Sequence, residues 1–307
     1  MNSFNLYIMK NTLLLILAGA LMFSCYKINR DIPVDRTKLI GMDYRTFQGT
    51  PAWELAKAVQ DGNRKKIESI VSQNPGLINY QSPEFGLTLL HLTILNWQFK
   101  SFKILLENNA DVSIHDSVTG ASPLMHACDL QTFGKKYVEL LIKYGANVND
   151  VEVGPRKQGN STRRTPLINA AITGSKSIVK LLVDRGADVN YKNEYGQTAL
   201  TEAVMQRNYK IALYLLEHGA DYTIPIFVRP GKSRPHRPEE DVPMYLVDVL
   251  REDFFDINSG EWKDKQKIIS FLREHGVEYK DAPIPDYIVE KAKEKYPKNW
   301  QEYLEKY

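Results

Sequence analysis

Cysteine is nearly missing from this chain of 307 residues: Cys25 and Cys128 are the whole supply. An exported protein normally pairs its cysteines in disulfides, and no such framework is available here, so stability has to come from packing. Long hydrophobic runs are missing too. The uncharged stretch from Leu13 to Phe23 falls well short of the roughly 20 helical residues that a bilayer core demands. The six histidines stand singly, with no two at a metal-ligand spacing such as i, i+4. No glycine-rich phosphate loop is present. Gly159-Asn160-Ser161-Thr162-Arg163 fails the nucleophile pattern G-x-S-x-G at its last residue. The stretch from Asp256 to Gly260 departs from a calcium loop, with its glycine one place early and Lys267 where the bidentate Glu belongs. Charge of one sign is not in excess, since 40 Lys and Arg face 37 Asp and Glu. That balance argues against nucleic acid as a partner. Catalytic residues, cofactors and metal sites are therefore not expected, and the chain reads as a non-enzyme.

What is present begins at the N-terminus. Lys10, the apolar stretch after it and the small residues Ala18, Gly19 and Ala20 have the layout of an export signal. The stretch "AGALMFSCYK" also resembles the lipobox of bacterial lipoproteins, in which a small residue precedes a cysteine that is acylated and becomes the first residue after cleavage. Ser24 and Cys25 fit that pattern, while Met22 stands where Leu is usual. The resemblance implies lipidation at Cys25 and a periplasm-facing protein held in the bacterial envelope. Tyr26 lacks the Asp that retains such proteins at the inner membrane, which favours the outer one. A plain signal peptide and an uncleaved anchor are the alternatives, and translation can start at Met1 or at Met9.

Self-similarity governs the rest. Four segments align, 86–113, 120–149, 164–190 and 196–222, with Thr88, Ser122, Thr165 and Thr198 in equivalent places. They share "TLLH", "SPLM", "TPLI" and "TALT" near their starts and "NAD", "GAN", "GAD" and "GAD" near their ends. The period is about 33 residues, with one insertion of about ten. Thr or Ser caps a helix and Pro suits its first position. Leucine pairs such as Leu140 and Leu141 form the buried stripe of each second helix. Gly145, Gly186 and Gly219 supply the left-handed turn that ends it, and Asn109 takes that role in the first segment. The marks resemble the ankyrin-repeat family. The fold class implied is all-α, an ankyrin-repeat solenoid of helix-turn-helix units with β-hairpin-like finger loops. Within it His91 would brace its turn by hydrogen bonding.

The expected domains are a signal peptide over 1–24, a tether over 25–49, ankyrin repeats over 50–279 and a C-terminal helical cap over 280–307. The repeats at each end of the array are degenerate, and a widened fifth one would end at Gly276.

The resemblance also implies a protein partner, held by the finger tips and the free face of the first helices. Family positions fall on Glu84, Phe85, Leu87, Asn96, Trp97, Asp129, Arg164, Tyr195, Gln197 and Met205. Trp97 replaces the glycine between two helices, and its indole either meets the partner or packs on its own loop. Arg156 and Arg164 in one insertion, and Arg229 and Arg234 in the other, suggest basic fingers that steer an acidic surface. The envelope address points to an immunity protein that neutralises a secreted toxic effector in the periplasm. A scaffold or chaperone for an envelope enzyme is the second reading, and an exported enzyme with an unrecognised site the third. The protein is expected to be a monomer when unbound, touching the membrane only through its lipid.

Overall fold

Three of the helix pairs open on a threonine side chain that satisfies a free amide of the first turn. Thr88 accepts from the His91 amide while His91 Nδ1 accepts from the Thr88 amide at 3.1 Å, so the histidine braces the turn. Thr165 accepts from the Ile168 amide at 3.4 Å. Thr198 and Thr201 serve each other reciprocally, at 3.2 and 2.8 Å. Ser122 holds the same position with Pro123 behind it. Second helices end in a left-handed residue, at Asn109 (φ 62°), Gly145 (φ 94°), Gly186 (φ 85°) and Gly219 (φ 85°). Asn is among the few residues other than glycine that tolerate this conformation.

The computed structural model describes residues 30–154, 162–231 and 240–307. They fall into two units, divided between Ala110 and Asp111. The first contains α1 (Trp53–Gln60), α2 (Arg64–Gln73), α3 (Leu89–Leu95) and α4 (Phe99–Glu107). Leu55, Val59, Ile67, Leu89, Leu92, Phe102 and Leu105 are fully buried between them. At about 2 kcal/mol for each large apolar side chain removed from water, this stripe dominates the stability of the unit. Ser101 Oγ donates to the Val59 carbonyl at 2.7 Å and ties the two helix pairs together.

Residues 30–49 differ from the tether that the sequence suggested. A 3₁₀ turn, Tyr44–Phe47, buries Tyr44 and Phe47 beside α1. Arg30 pairs with Asp61 at 2.8 Å and Asp31 with Lys57 at 3.0 Å. Asn96 Nδ2 donates to the Met42 carbonyl at 2.8 Å, and Tyr44 donates to Gln98 Oε1. The segment lacks a repeat signature because it covers the helices instead of adding one, and its two aromatic side chains supply the burial.

The second unit continues with α5 (Pro123–Cys128), α6 (Lys135–Lys143), α7 (Pro166–Thr173), α8 (Lys176–Asp184), α9 (Ala199–Met205) and α10 (Tyr209–Glu217). First helices pack on first helices, α5 on α7 and α7 on α9, and second helices likewise, α6 on α8 and α8 on α10. Neighbouring repeats are also clamped by asparagine. Asn149 donates to the Gly186 carbonyl at 3.1 Å and accepts from the Asp188 amide at 2.8 Å. Asn190 does the same to Gly219 and Asp221, at 2.9 and 2.8 Å.

The later insertion forms a hairpin in which β1 (Phe227–Arg229) pairs antiparallel with β2 (Val242–Met244). Then come α11 (Leu246–Glu252) and α12 (Gly260–Glu274), the latter packed on α10 and followed by a left-handed Gly276. The chain finishes in α13 (Asp286–Lys295) and α14 (Trp300–Lys306), where Ile288, Ala292, Tyr303 and Tyr307 are buried together. Beneath them lie buried charges that sequence patterning did not signal. Arg251 stacks 3.9 Å from the Tyr279 ring centre, and Lys265 lies 3.7 Å from that of Tyr307. Lys265 Nζ donates to the Asp253 carbonyl at 3.0 Å, and the Asp253 carboxylate accepts from Tyr209 and pairs with Arg207.

Candidate protein-binding surface

Every finger loop is closed by one polar side chain set five or six residues ahead of the helix cap, except where the insertion lengthens the loop. Ser82 accepts from the Leu87 amide at 3.2 Å. Asp116 accepts from the amides of Val118, Thr119 and Ala121 at 2.8, 2.6 and 3.2 Å. Asn193 accepts from those of Tyr195 and Gln197, both at 2.9 Å. Glu152 accepts from the Arg164 amide at 3.0 Å. These acceptors were legible only as scattered polar residues, since each repeat uses a different type. Fingers also touch: the Val153 amide donates to the Gly120 carbonyl at 2.8 Å, and a side chain at Gly120 would strike the Val153 carbonyl.

In the first unit, Trp97 occupies the turn between α3 and α4 with φ at 58° and is 64% exposed. Gly62 and Gly174 take the same conformation at equivalent turns, which confirms that the tryptophan stands in a glycine's place. Phe85 is half-buried beside Gly41, and Leu87 is buried in the core, so Leu87 is not a contact residue. Asn96 is spent on the Met42 carbonyl, as described above.

In the second unit, Tyr195 stands at a finger tip, 67% exposed, and Met205 ends α9, 49% exposed. Asp129 follows α5 and is exposed. Desolvation raises its carboxyl, the charges of His126 and Arg164 pull the other way, and Glu152 adds to the rise. Gln197 is half-buried, its Oε1 accepting from Asn193 Nδ2 at 2.9 Å, so it serves its own loop. Arg164 is likewise not a free finger charge. Its guanidinium meets buried Glu152 through Nε and Nη2, both at 3.1 Å, because a buried carboxylate needs a counter-charge. Arg163 lies 3.5 Å from Glu194, and Arg229 pairs with Glu252. Each of these described finger arginines thus faces a carboxylate of the protein itself, which reduces its share of the expected steering field. Cys25, Arg156 and Arg234 lie outside the described residues.

Two His–Asp pairs flank this region. His126 Nε2 meets Asp116 at 2.9 Å, and His115 Nε2 meets Asp150 at 3.1 Å. The hydrogen bond that His115 donates to Asp150 raises the His115 pKa against the opposing effect of burial. Burial would raise the Asp116 carboxyl, but His126 and Thr119 outweigh it and hold it far below the usual range. Cys128 is buried, and desolvation pushes its thiol well up, so it is a packing residue. Among the described residues no three His, Cys, Asp or Glu side chains gather where a metal ion could be held, and no helix is long and apolar enough to cross a membrane.

Repeated helix pairs, clamped turns and fingers that end on exposed side chains define a repeat-type interaction protein. The chain belongs to the ankyrin-repeat family: a family model of three ankyrin repeats matches residues 55–152 and 151–226. It is 39% identical over 84 residues to the ankyrin repeat protein R664 of Acanthamoeba polyphaga mimivirus, which covers 27% of this chain and 50% of that protein. The mouse B-cell lymphoma 3 protein homolog is 34% identical over 122 residues, 40% of this chain and 25% of its own length. The human Neurogenic locus notch homolog protein 1 is 31% identical over 155 residues, 50% of this chain and 6% of its own. The chain thus spans half or less of the length of these viral and animal relatives. Ankyrin repeats imply a role in protein–protein interaction.

Proposed function

We propose that this protein is a non-enzymatic binding module held by a lipid on Cys25 at the periplasmic side of a bacterial envelope, where it binds and neutralises a secreted toxic effector. The observation that carries the binding part is Trp97. An L-residue in the left-handed region costs about 1–2 kcal/mol, and a bulky one is rarely kept there without use. Trp97 is exposed and Phe85 half-buried on the first unit, while Tyr195, Asp129 and Met205 offer contacts on the second. Aromatic anchors of this kind dominate protein interfaces. The envelope address rests on the stretch from Lys10 to Cys25.

The test is capture of native complexes on tagged protein from its own host's envelope. A single stoichiometric partner that kills cells when made alone in the periplasm supports immunity. A non-toxic enzyme, or several envelope proteins, overturns immunity in favour of a scaffold. Cys25→Ser should move the protein from the membrane fraction to the soluble one, and unchanged fractionation would refute the lipid anchor.

A further inference from the structure

The caps Ser122, Thr165 and Thr198 set α5, α7 and α9 in register, side by side. Four residues beyond each cap stand His126, Asn169 and Glu202; seven beyond stand Asp129, Ile172 and Met205. His126 is engaged by Asp116. The other two members of its row are not satisfied. Asn169 is 2% exposed, and its Oδ1 has no hydrogen-bond partner. Glu202 is 9% exposed, and among the described residues no hydrogen bond or ion pair reaches its carboxyl. Burial pushes that carboxyl up, with the Arg164 charge as the opposing pull. The Arg164 charge also acts on Asp129, which ends α5, the neighbour of α7. Arg164 itself is already committed to Glu152.

Unpaired buried acceptors are rare in folded proteins and persist where something else supplies the donor. Asn169 Oδ1, Glu202 and Asp129 all present acceptors, and two of them can carry negative charge. Their complement is a cation with several N–H groups on a stem long enough to reach past the helix ends. Half-buried Ile172 and exposed Met205 offer an apolar bed for such a stem.

We infer that the face of α7 and α9 around Asn169 and Glu202 is a slot for a basic side chain, an arginine or a lysine, projecting from the protein partner. This slot rests on the protein-binding reading and deepens it, and it replaces the acidic partner surface suggested by the finger arginines with a basic one. A guanidinium donates to the Glu202 carboxylate and to Asn169 Oδ1, while Asp129 at the rim supplies attraction during approach.

The test uses the full chain with methyl-¹³C methionine, titrated with acetyl-Gly-Arg-Gly-amide and with its citrulline analogue, which keeps the shape and lacks the charge. The arginine peptide should move the Met205 methyl signal saturably, and the citrulline peptide should bind about tenfold more weakly or worse. Glu202→Gln should weaken the arginine peptide by about the same factor. Asp129→Asn, at an exposed position that does not threaten folding, should weaken it by a smaller but measurable factor. Equal shifts from both peptides, no saturable shift, or unchanged binding in both variants would overturn the slot. The two readings fail separately. A captured partner that binds both variants as tightly as wild type refutes the slot alone. A saturable arginine response with no partner captured refutes only the wider binding role.

Discussion

Lys265 offers a sharp test of the C-terminal packing. Its side chain is 1% exposed beneath Tyr279 and Tyr307, and desolvation lowers its pKa from 10.5 to about 7. The Asp253 charge pulls the other way, and Arg251 adds to the lowering. The folded protein therefore binds fewer protons than the unfolded chain between about pH 7 and 10.5, and stability must rise with pH across that window. One pKa unit corresponds to about 1.4 kcal/mol, so the charge penalty amounts to roughly 4–5 kcal/mol near pH 7 and about 2 kcal/mol at pH 9. Lys265→Met keeps the volume and removes the titration. It also removes one of the two hydrogen bonds that the Asp253 carbonyl accepts, the other coming from Tyr307, at a pH-independent cost of about 1 kcal/mol. Urea unfolding of wild type and variant, followed by circular dichroism at pH 7 and pH 9, isolates the effect because other titrating groups cancel in the comparison. Wild type should gain about 2 kcal/mol on the variant between the two pH values. A difference that is the same at both would mean that the lysine stays charged in the fold, held by the faces of Tyr307 and Tyr279, and the desolvation argument would be refuted.

The His115–Asp150 pair has a different pH window. The raised His115 pKa contributes stability that is present below its ordinary 6.5 and lost as pH rises through the raised value. Burial would raise Asp150, but the hydrogen bonds from His115, Ser122 and the Val151 amide and the His115 charge together outweigh it, so the lowered carboxyl contributes above 3.8 and is lost as pH falls through its folded value. Amide exchange in this finger, corrected for intrinsic rates, should be slower at pH 5.5 than at pH 8, and His115→Ala should erase the difference. Asn149→Ala removes two hydrogen bonds between neighbouring repeats and should cost about 1–2 kcal/mol in thermal unfolding; a neutral result would mean that water replaces them. Trp97→Gly relieves a left-handed residue other than glycine, so stability should hold or rise by up to about 1 kcal/mol while partner affinity falls about tenfold or more. Affinity unchanged by that substitution would remove Trp97 from the interface.

The sequence by itself determined whatever depends on neighbours along the chain. Thr88, Thr165 and Thr198 cap because each lies three residues before the amide it accepts, and the leucine stripes pack because the helical period puts them on one face. Asn109 was legible as a glycine substitute for the same local reason. Exposure at Tyr195 and Met205 could be anticipated from their places at a turn and a helix end, whereas the sequence left open whether Trp97 packs on its own loop. Tertiary structure decided which polar groups find partners across the fold. Arg164 and Arg229 look alike as loop charges until Glu152 and Glu252 meet them. Residues 30–49, the described part of the expected tether, look like a linker until the carbonyl of Met42 and the hydroxyl of Tyr44 meet Asn96 and Gln98. Arg207 takes the left-handed turn position, with φ at 57°, where Gly174 stands one repeat earlier, and it is matched by Asp253 from far along the chain. Lys265 reads as one charge in a charged helix and is buried only because Tyr279 and Tyr307 close over it. Local backbone conformation is set by residues a few positions apart, whereas the cost or gain of a charge depends on the dielectric and the partners that folding brings to it.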